Sequence, residues 1–278
     1  MITCDFFGGL GNNLFQLATV YNIHKKYNYE LRIPTFSQRN GIERYGQSNV
    51  LELNELFENK FFYDDSLINN LPKYIHPDVN LNSTDYTVTK IPISDNTCYS
   101  GYFQSEKYFN DININKEFII STEKKSHIQN KYKNLFLKKN ISLHYRLGGD
   151  RITSMMQHYH KNVSPEYYKS ALDLISDYNE NDYNVLVFTD NRNLAENLLS
   201  GFKYNFIYID NNNDNIIDFI MMSMCDINII GNSTFSWWSA YMNSKENKKV
   251  IATKTEWFGP GYKHFNLTDT FPKDWITL

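Results

Sequence analysis

The sequence predicts an α/β protein built as two Rossmann-like lobes that face each other across a cleft. Three observations predict it. From residue 141 onward, strand-like apolar runs alternate with segments of helical spacing in the order βαβαβαβ, the pattern of a doubly wound parallel sheet. The N-terminus carries a strand, a Gly-rich turn and a helix of its own. The chain has 278 residues, enough for two domains of ordinary size. The charged, helix-forming stretch at 124–139 reads as the crossing, and the boundary is placed between 138 and 139, giving lobes of 1–138 and 139–278.

Composition narrows the partners. A formal net charge of −3 offers no basic footprint for nucleic acid or an anionic membrane, so any phosphate is bound locally. No apolar run is long enough to cross a bilayer, and the first residues lack the basic and apolar regions of a secretory signal. Cys4, Cys98 and Cys225 are odd in number and far apart, which suggests neither a disulfide framework nor a zinc site and fits a reducing compartment. Sequons occur at Asn82, Asn140, Asn162, Asn232 and Asn266. A glycan on Asn232 would obstruct the turn described below, so a cytoplasmic location is expected.

In the first lobe, residues 2–7 read as a strand running into Gly8-Gly9-Leu10-Gly11-Asn12-Asn13. Leu14, Phe15, Leu17, Ala18, Tyr21 and Ile23 follow at helical spacing. Glycine allows φ > 0 and close approach of the backbone to a ligand, which Asn12 or Asn13 can hydrogen-bond; the alternative is a tight turn into a packed helix. The pattern is neither Gly-x-Gly-x-x-Gly nor a P-loop. Residues 34–95 are irregular and read as short helices and loops lining an acceptor cleft. Within 98–109, aromatic residues flank Gln104, Glu106 and Lys107. That mixture suits the apolar faces and hydroxylated rims of sugars, or else a half-buried strand end.

In the second lobe, residues 141–146 form a strand that delivers His144 and Arg146, two apart, to one face before the turn Leu147-Gly148-Gly149-Asp150. Arginine there can hold a diphosphate through its bidentate fork, the alternative being a structural pair. Ser164, Pro165 and Glu166 open a helix over 165–178. A strand at 183–191 ends in Asp190 and Asn191, where an open α/β sheet binds ribose, base or sugar; Asp190 equally caps the helix at 194–199. A strand at 206–210, a turn at 211–214 and a helix at 216–225 carrying Asp218 and three methionines follow. The central stretch comes next: strand 227–230, Gly231, then Asn232, Ser233, Thr234 and Ser236 leading into Trp237, Trp238, Ala240, Tyr241 and Met242 at helical spacing. Hydroxyls and unpaired N–H groups at a helix N-terminus bind phosphate without a metal, the alternative being that Ser233 or Thr234 is a plain N-cap. A strand at 250–252, Trp257-Phe258-Gly259-Pro260 and a short tail complete the chain.

At these residues the chain resembles the glycosyltransferase family 11 α-1,2-fucosyltransferases. The resemblance is carried by Gly8-Gly9-Leu10-Gly11-Asn12-Asn13-Leu14-Phe15-Gln16, by residues 101–109 (Gly-Tyr-Phe-Gln-Ser-Glu-Lys-Tyr-Phe), by His144-Tyr145-Arg146, by Phe188-Thr189-Asp190, by 218–225, and by Asn232-Ser233-Thr234-Phe235-Ser236-Trp237-Trp238. These motifs occur in the family's order over nearly the whole length. The resemblance implies a GT-B fold, GDP-fucose as donor substrate with no further cofactor, a glycan acceptor, inversion at the anomeric carbon and no required metal. The N-terminal lobe becomes the acceptor side and the C-terminal lobe the GDP-sugar side. Arg146 would bind the β-phosphate, Ser233, Thr234 and Ser236 with nearby N–H groups would complete the cradle, and Asn12, with Gly9 and Gly11, would face the fucose or phosphate. Asn232 and Asp190 join the donor contacts.

One departure stands out. The family pattern His-x-Arg-Arg-Gly-Asp is here His144-Tyr145-Arg146-Leu147-Gly148-Gly149-Asp150, with leucine for the second arginine and one extra residue before the acid; Arg151 lies close by to offset the lost cation. The base for the attacking hydroxyl is open among Asp5, Glu106, His144 and Asp150, of which Asp150 and His144 are carried forward. The competing reading is a degenerate, lectin-like glycan binder, suggested by the missing arginine and 16% aromatic residues. A single-strand nucleic-acid binder lacks the positive groove it needs.

Overall fold

The computed structural model describes residues 1–34, 52–59, 61, 63–64, 70–79, 88–175, 178–212, 214–262 and 264–278, with the backbone alone at Asp150. Much of the 34–95 stretch read as an acceptor cleft therefore lies outside the described residues. The chain forms two compact units, Met1–Ser121 with Phe265–Pro272, and Thr122–His264 with Lys273–Leu278.

The first unit holds β1 (Ile2–Cys4), α1 (Leu10–Tyr27), α2 (Glu52–Leu56), β2 (Lys73–Ile75), β3 (Thr97–Ser100) and α3 (Ile114–Glu117). Its three strands pair in parallel in the order β1-β3-β2. The first strand is shorter than its apolar run because Gln16 takes both backbone groups of Phe7, accepting from its N–H at 3.2 Å and donating to its carbonyl at 3.3 Å. That clamp turns the chain into Gly8, whose φ of +79° favours glycine. Helix α1 ends in a left-handed Asn28 after His24, Lys25 and Lys26, cations that suit the negative end of the helix dipole. The 265–272 segment belongs here, and Asp269 accepts from Val88 N–H at 3.2 Å and pairs with Lys107.

The second unit comprises α4 (Thr122–Lys131), β4 (Lys139–Tyr145), α5 (Ser154–Tyr159), α6 (Pro165–Asp173), β5 (Tyr183–Thr189), α7 (Arg192–Leu199), β6 (Phe206–Tyr208), α8 (Asn215–Ser223), β7 (Ile227–Ile230), α9 (Thr234–Tyr241), β8 (Lys249–Ala252) and β9 (Ile276–Thr277). Helix α4, counted with the first lobe in the sequence reading, clusters with this unit and contacts α8. All six strands are parallel, in the order β6-β5-β4-β7-β8-β9. The chain leaves β4 toward β5 and β6, then returns to β4's other side with β7, so strand order reverses between β4 and β7.

Alternation along β4 sorts its side chains. Ile141, Leu143 and Tyr145 enter a core shared with Tyr168, Ala171 and Leu172 of α6, each large apolar side chain there worth about 1.5–3 kcal/mol on full burial. The opposite face carries Asn140, Ser142 and His144, all buried. Asn184 donates to Asn140 at 3.0 Å and Asn228 to Ser142 at 2.8 Å, so Asn140 and Ser142 are satisfied by the neighbouring strands. Helix α6 starts as its sequence signals require: Ser164 accepts from Tyr167 N–H at 3.4 Å and Pro165 opens the helix. It ends at Asp173, short of the 178 expected.

Candidate functional site

In an open parallel sheet, ligands collect beyond the carboxyl ends of the strands, where strand order reverses. Here that place lies between β4 and β7, at the turns His144 to Gly149 and Gly231 to Ser236. The two turns touch: a Cβ added to Gly231 would lie 2.9 Å from the His144 carbonyl oxygen and 2.8 Å from the Tyr168 hydroxyl. Phe235 packs its ring 5.8 Å from that of His144.

Helix α9 begins with open donors. Ser233 sits in extended backbone at the N-cap but makes no side-chain capping bond. The first intrahelical bond runs from Trp237 N–H to the Ser233 carbonyl at 3.0 Å, so the N–H groups of Thr234, Phe235 and Ser236 have no partner within the helix. Those donors and the dipole make this end attractive to an anion. Trp237 and Trp238 are fully buried, and Trp237 stacks on Tyr241 at 4.8 Å. The aromatic run thus anchors the helix whose N-terminus faces the turn.

The structure separates the expected ligand contacts. Ser233 and Thr234 are half-exposed. Ser236 is buried, its hydroxyl donating to the Ser233 carbonyl at 3.2 Å. Asn232, expected as a donor contact, is instead scaffold: its Oδ1 accepts from Arg151 at 2.6 Å, its Nδ2 donates to the Lys161 carbonyl at 2.9 Å, and its own carbonyl accepts from Arg151 at 2.7 Å. Arg151 also donates to the Lys161 carbonyl at 2.9 Å and is only 6% exposed. Its guanidinium is built into the base of the turn.

Arg146 reaches the Asp190 carboxylate at 3.7 Å with 38% of its side chain exposed. Asp190 neither caps α7, which Asn191 does by accepting from Leu194 N–H at 3.2 Å, nor leaves its carboxylate open. Its Oδ1 accepts from the N–H groups of Leu147 and Gly148, both at 2.7 Å. Burial raises its pKa, but these N–H donors, with Arg146 and His144 beside it, hold it below the ordinary carboxylate value. Asp190 therefore staples the turn and orients Arg146. Gly149 takes φ +62°, and Leu147 is buried where the family pattern carries an arginine.

His144 is buried, and its Nδ1 has no hydrogen-bond partner among the described residues. Burial, reinforced by Arg146 and Arg151 and opposed by Asp190, lowers its pKa to about 3. The imidazole is therefore held neutral at pH 7. Asp150 lies in the short turn Gly149–Ile152, and its side chain is outside the described residues.

In the first unit, Asn12 is half-exposed on the opening turn of α1 and accepts from Gln104 at 3.0 Å. Gly9 is the N-cap, and a Cβ there would meet nothing within 4 Å; Gly11 is buried inside the helix. Asn13 and Gln16 are structural, both bonded to the Phe7 carbonyl. The sequence reading missed Tyr167 and Tyr168. The Tyr167 hydroxyl donates to the carbonyls of Ile230 at 2.7 Å and Ile251 at 3.0 Å, and that of Tyr168 to His144 at 2.8 Å. They pin three strand ends, and their only signal was two adjacent tyrosines in the first turn of a Pro-started helix. Among the described residues no group of three or more His, Cys, Asp or Glu is placed to hold a metal ion, and no helix is long and apolar enough to cross a membrane.

A parallel α/β sheet with an open helix N-terminus at the point where its strand order reverses belongs to the class of folds in which that place suits an anionic ligand. Within that class, the chain belongs to Glycosyl transferase family 11, which it matches over residues 1–278. It is 26% identical over 307 residues to the O-antigen biosynthesis glycosyltransferase WbnK of Escherichia coli, covering 98% of each chain. Its fold is that of solved fucosyltransferases. The NodZ fucosyltransferase from Bradyrhizobium superposes with a TM-score of 0.53 at 15% identity, covering 87% of this chain and 93% of that one. POFUT1 in complex with GDP-fucose gives a TM-score of 0.52 at 10% identity, covering 90% and 97%.

Proposed function

We propose that the chain transfers L-fucose from GDP-fucose to a hydroxyl of a glycan, inverting the anomeric centre without a required metal, and that the acceptor is the 2-OH of a terminal galactose. The observation that carries this reading is the family match over residues 1–278, with the open helix N-terminus at the sheet's switch point as its physical support. The solved neighbours leave linkage open, since NodZ is an α-1,6-fucosyltransferase. The α-1,2 linkage rests on the motif resemblance. WbnK's role in O-antigen biosynthesis makes a bacterial surface glycan a fitting acceptor.

In this reading Arg146 and the N–H groups of Thr234, Phe235 and Ser236 stabilise the departing diphosphate, with Ser233 and Thr234 adding hydroxyls. Fixed donors of that kind contribute roughly 3–4 kcal/mol each in other enzymes. Asp190 and Arg151 shape the turns that carry them. Gly9, Gly11 and Asn12 meet the sugar or phosphate from the first unit, and Asp150 takes the acceptor proton. The first unit takes the acceptor and the second the GDP-sugar, and the protein works in the cytoplasm.

Incubation with GDP-fucose and a panel of galactosides, with the product linkage read by NMR, tests the reaction. Calorimetric titration with GDP against ADP and UDP tests the donor. Arg146→Ala should weaken GDP binding by roughly 10- to 100-fold, the loss of a charge-assisted hydrogen bond; unchanged affinity removes Arg146 from the site. The buried Leu147 favours a second reading, a lectin-like glycan binder that has lost transfer. Glycan binding with no affinity for GDP or GDP-fucose would select it.

A further inference from the structure

We propose that Gln104 is a positioning residue: it holds the Asn12 carboxamide so that its N–H donors serve the ligand, and a buried Asp78–His76 lock holds Gln104 in place. The inference rests on the reading of the chain as a GDP-fucose transferase.

Gln104 Nε2 donates to Asn12 Oδ1 at 3.0 Å. With its oxygen engaged, the half-exposed Asn12 offers a ligand its donor end. That end lies over Gly8, where an added Cβ would sit 2.3 Å from Asn12 Nδ2, and Gly8 is at φ +79°. No L side chain fits there without displacing the amide. Beneath, Gln16 donates to the carbonyls of both Phe7 and Gly101, so the Gly-rich turn and the 101–104 loop are bridged at two points.

The loop does not take this path by itself. Phe103, fully buried, sits at φ +51°, a left-handed conformation that a bulky residue holds only where its surroundings impose it. Asp78 imposes it, accepting from Tyr102 N–H on Oδ1 at 3.0 Å and from Phe103 N–H on Oδ2 at 2.7 Å. His76 Nδ1 lies 3.0 Å from Asp78 Oδ1, and its Nε2 meets the Thr89 hydroxyl at 2.7 Å and the Tyr108 hydroxyl at 2.9 Å. Gly101 leaves room for the turned ring, since a Cβ there would come within 2.5 Å of Phe103. Asp78, His76 and Phe103 are all buried, and the residue they release toward the surface is Gln104.

Gln104→Glu is nearly isosteric but cannot donate from an ionised carboxylate. The Asn12 amide then turns round, giving its N–H to the new carboxylate and its oxygen to the ligand. The kcat of fucose transfer should fall roughly tenfold or more, the worth of about 1.4 kcal/mol, with the melting temperature shifted by no more than about 2 °C. Asn12→Asp keeps the bond to Gln104 but has no donor, and should lose as much. A Gln104→Glu enzyme with unaltered kcat overturns the proposal, as does a parallel loss of melting temperature and kcat, the mark of a merely structural role. If the unaltered protein neither transfers fucose nor binds GDP, the underlying reading fails instead. A thermal double-mutant cycle between Asn12 and Gln104 still reads the contact in that event, and zero coupling shows that the geometry itself is wrong.

Discussion

Arg151→Met should unfold the second unit more easily and weaken GDP binding together. The methionine retains the aliphatic volume and removes donors at 2.6, 2.7 and 2.9 Å to Asn232 Oδ1, the Asn232 carbonyl and the Lys161 carbonyl. Each buried acceptor stranded in this way costs about 1–3 kcal/mol. Partial relaxation of the turn keeps the total near 3–5 kcal/mol, roughly the range seen when one partner of a buried charged contact is removed. The assay is favourable because all four tryptophans, Trp237, Trp238, Trp257 and Trp275, lie in the second unit. Urea unfolding followed by tryptophan fluorescence therefore reports that unit alone. Arg151 also depresses the His144 pKa, so the imidazole should titrate higher in the variant. Arg151→Lys keeps the charge but not the planar fork, and should fall between variant and parent. An unfolding free energy within about 0.5 kcal/mol of the parent, with GDP affinity unchanged, would falsify the assignment of Arg151 to the base of the turn.

The remaining expectations concern charge. For His144 the folded pKa of about 3 lies below the ordinary value of 6.5, so its stabilisation is present above pH 6.5 and drains away as pH falls toward 3. At about pH 5 the loss is about 2 kcal/mol, and His144→Asn should flatten that limb of the fluorescence-detected stability curve. Asp218 has the opposite sign: burial raises it from 3.8 to about 6 despite a 2.7 Å bond from Asn211, so its contribution is complete below pH 3.8 and lost as pH rises through 6. Asp218→Asn keeps an acceptor for Asn211 and should gain about 1–3 kcal/mol at about pH 7.5, discounted for partial exposure, while a loss refutes the burial argument. Asp190→Ala removes the acceptor of two N–H groups and the partner of Arg146 and should lower GDP affinity about tenfold or more by calorimetry. Asp190→Asn keeps the Oδ1 acceptor and should lose less; equal losses would mean that the ion pair, not the turn, matters.

Periodicity and turn chemistry by themselves determined which segments became strands and helices. Apolar runs such as Val185 to Phe188 and Ile227 to Ile230 bury both faces in a parallel sheet and leave little choice, and Ser164-Pro165-Glu166 announces a helix start through local hydrogen bonding alone. The approach of the His144–Gly149 and Gly231–Ser236 turns was legible too, because both follow strands of one sheet. The sequence could not say which polar side chain turns inward. Asn232 and Ser236 read as ligand contacts because they sit in a polar turn, yet both are buried and bonded to their own neighbours. Asp190 read as a cap or a ligand contact and became a staple for a turn 42 residues away in the chain. Arg151 and the Asp78–His76 lock depend on partners between 10 and 81 positions away, and no local pattern encodes them. Secondary structure follows from short-range sterics and spacing, which a sequence displays. The satisfaction of buried polar groups is decided only when the chain closes on itself and each donor has to find an acceptor without water.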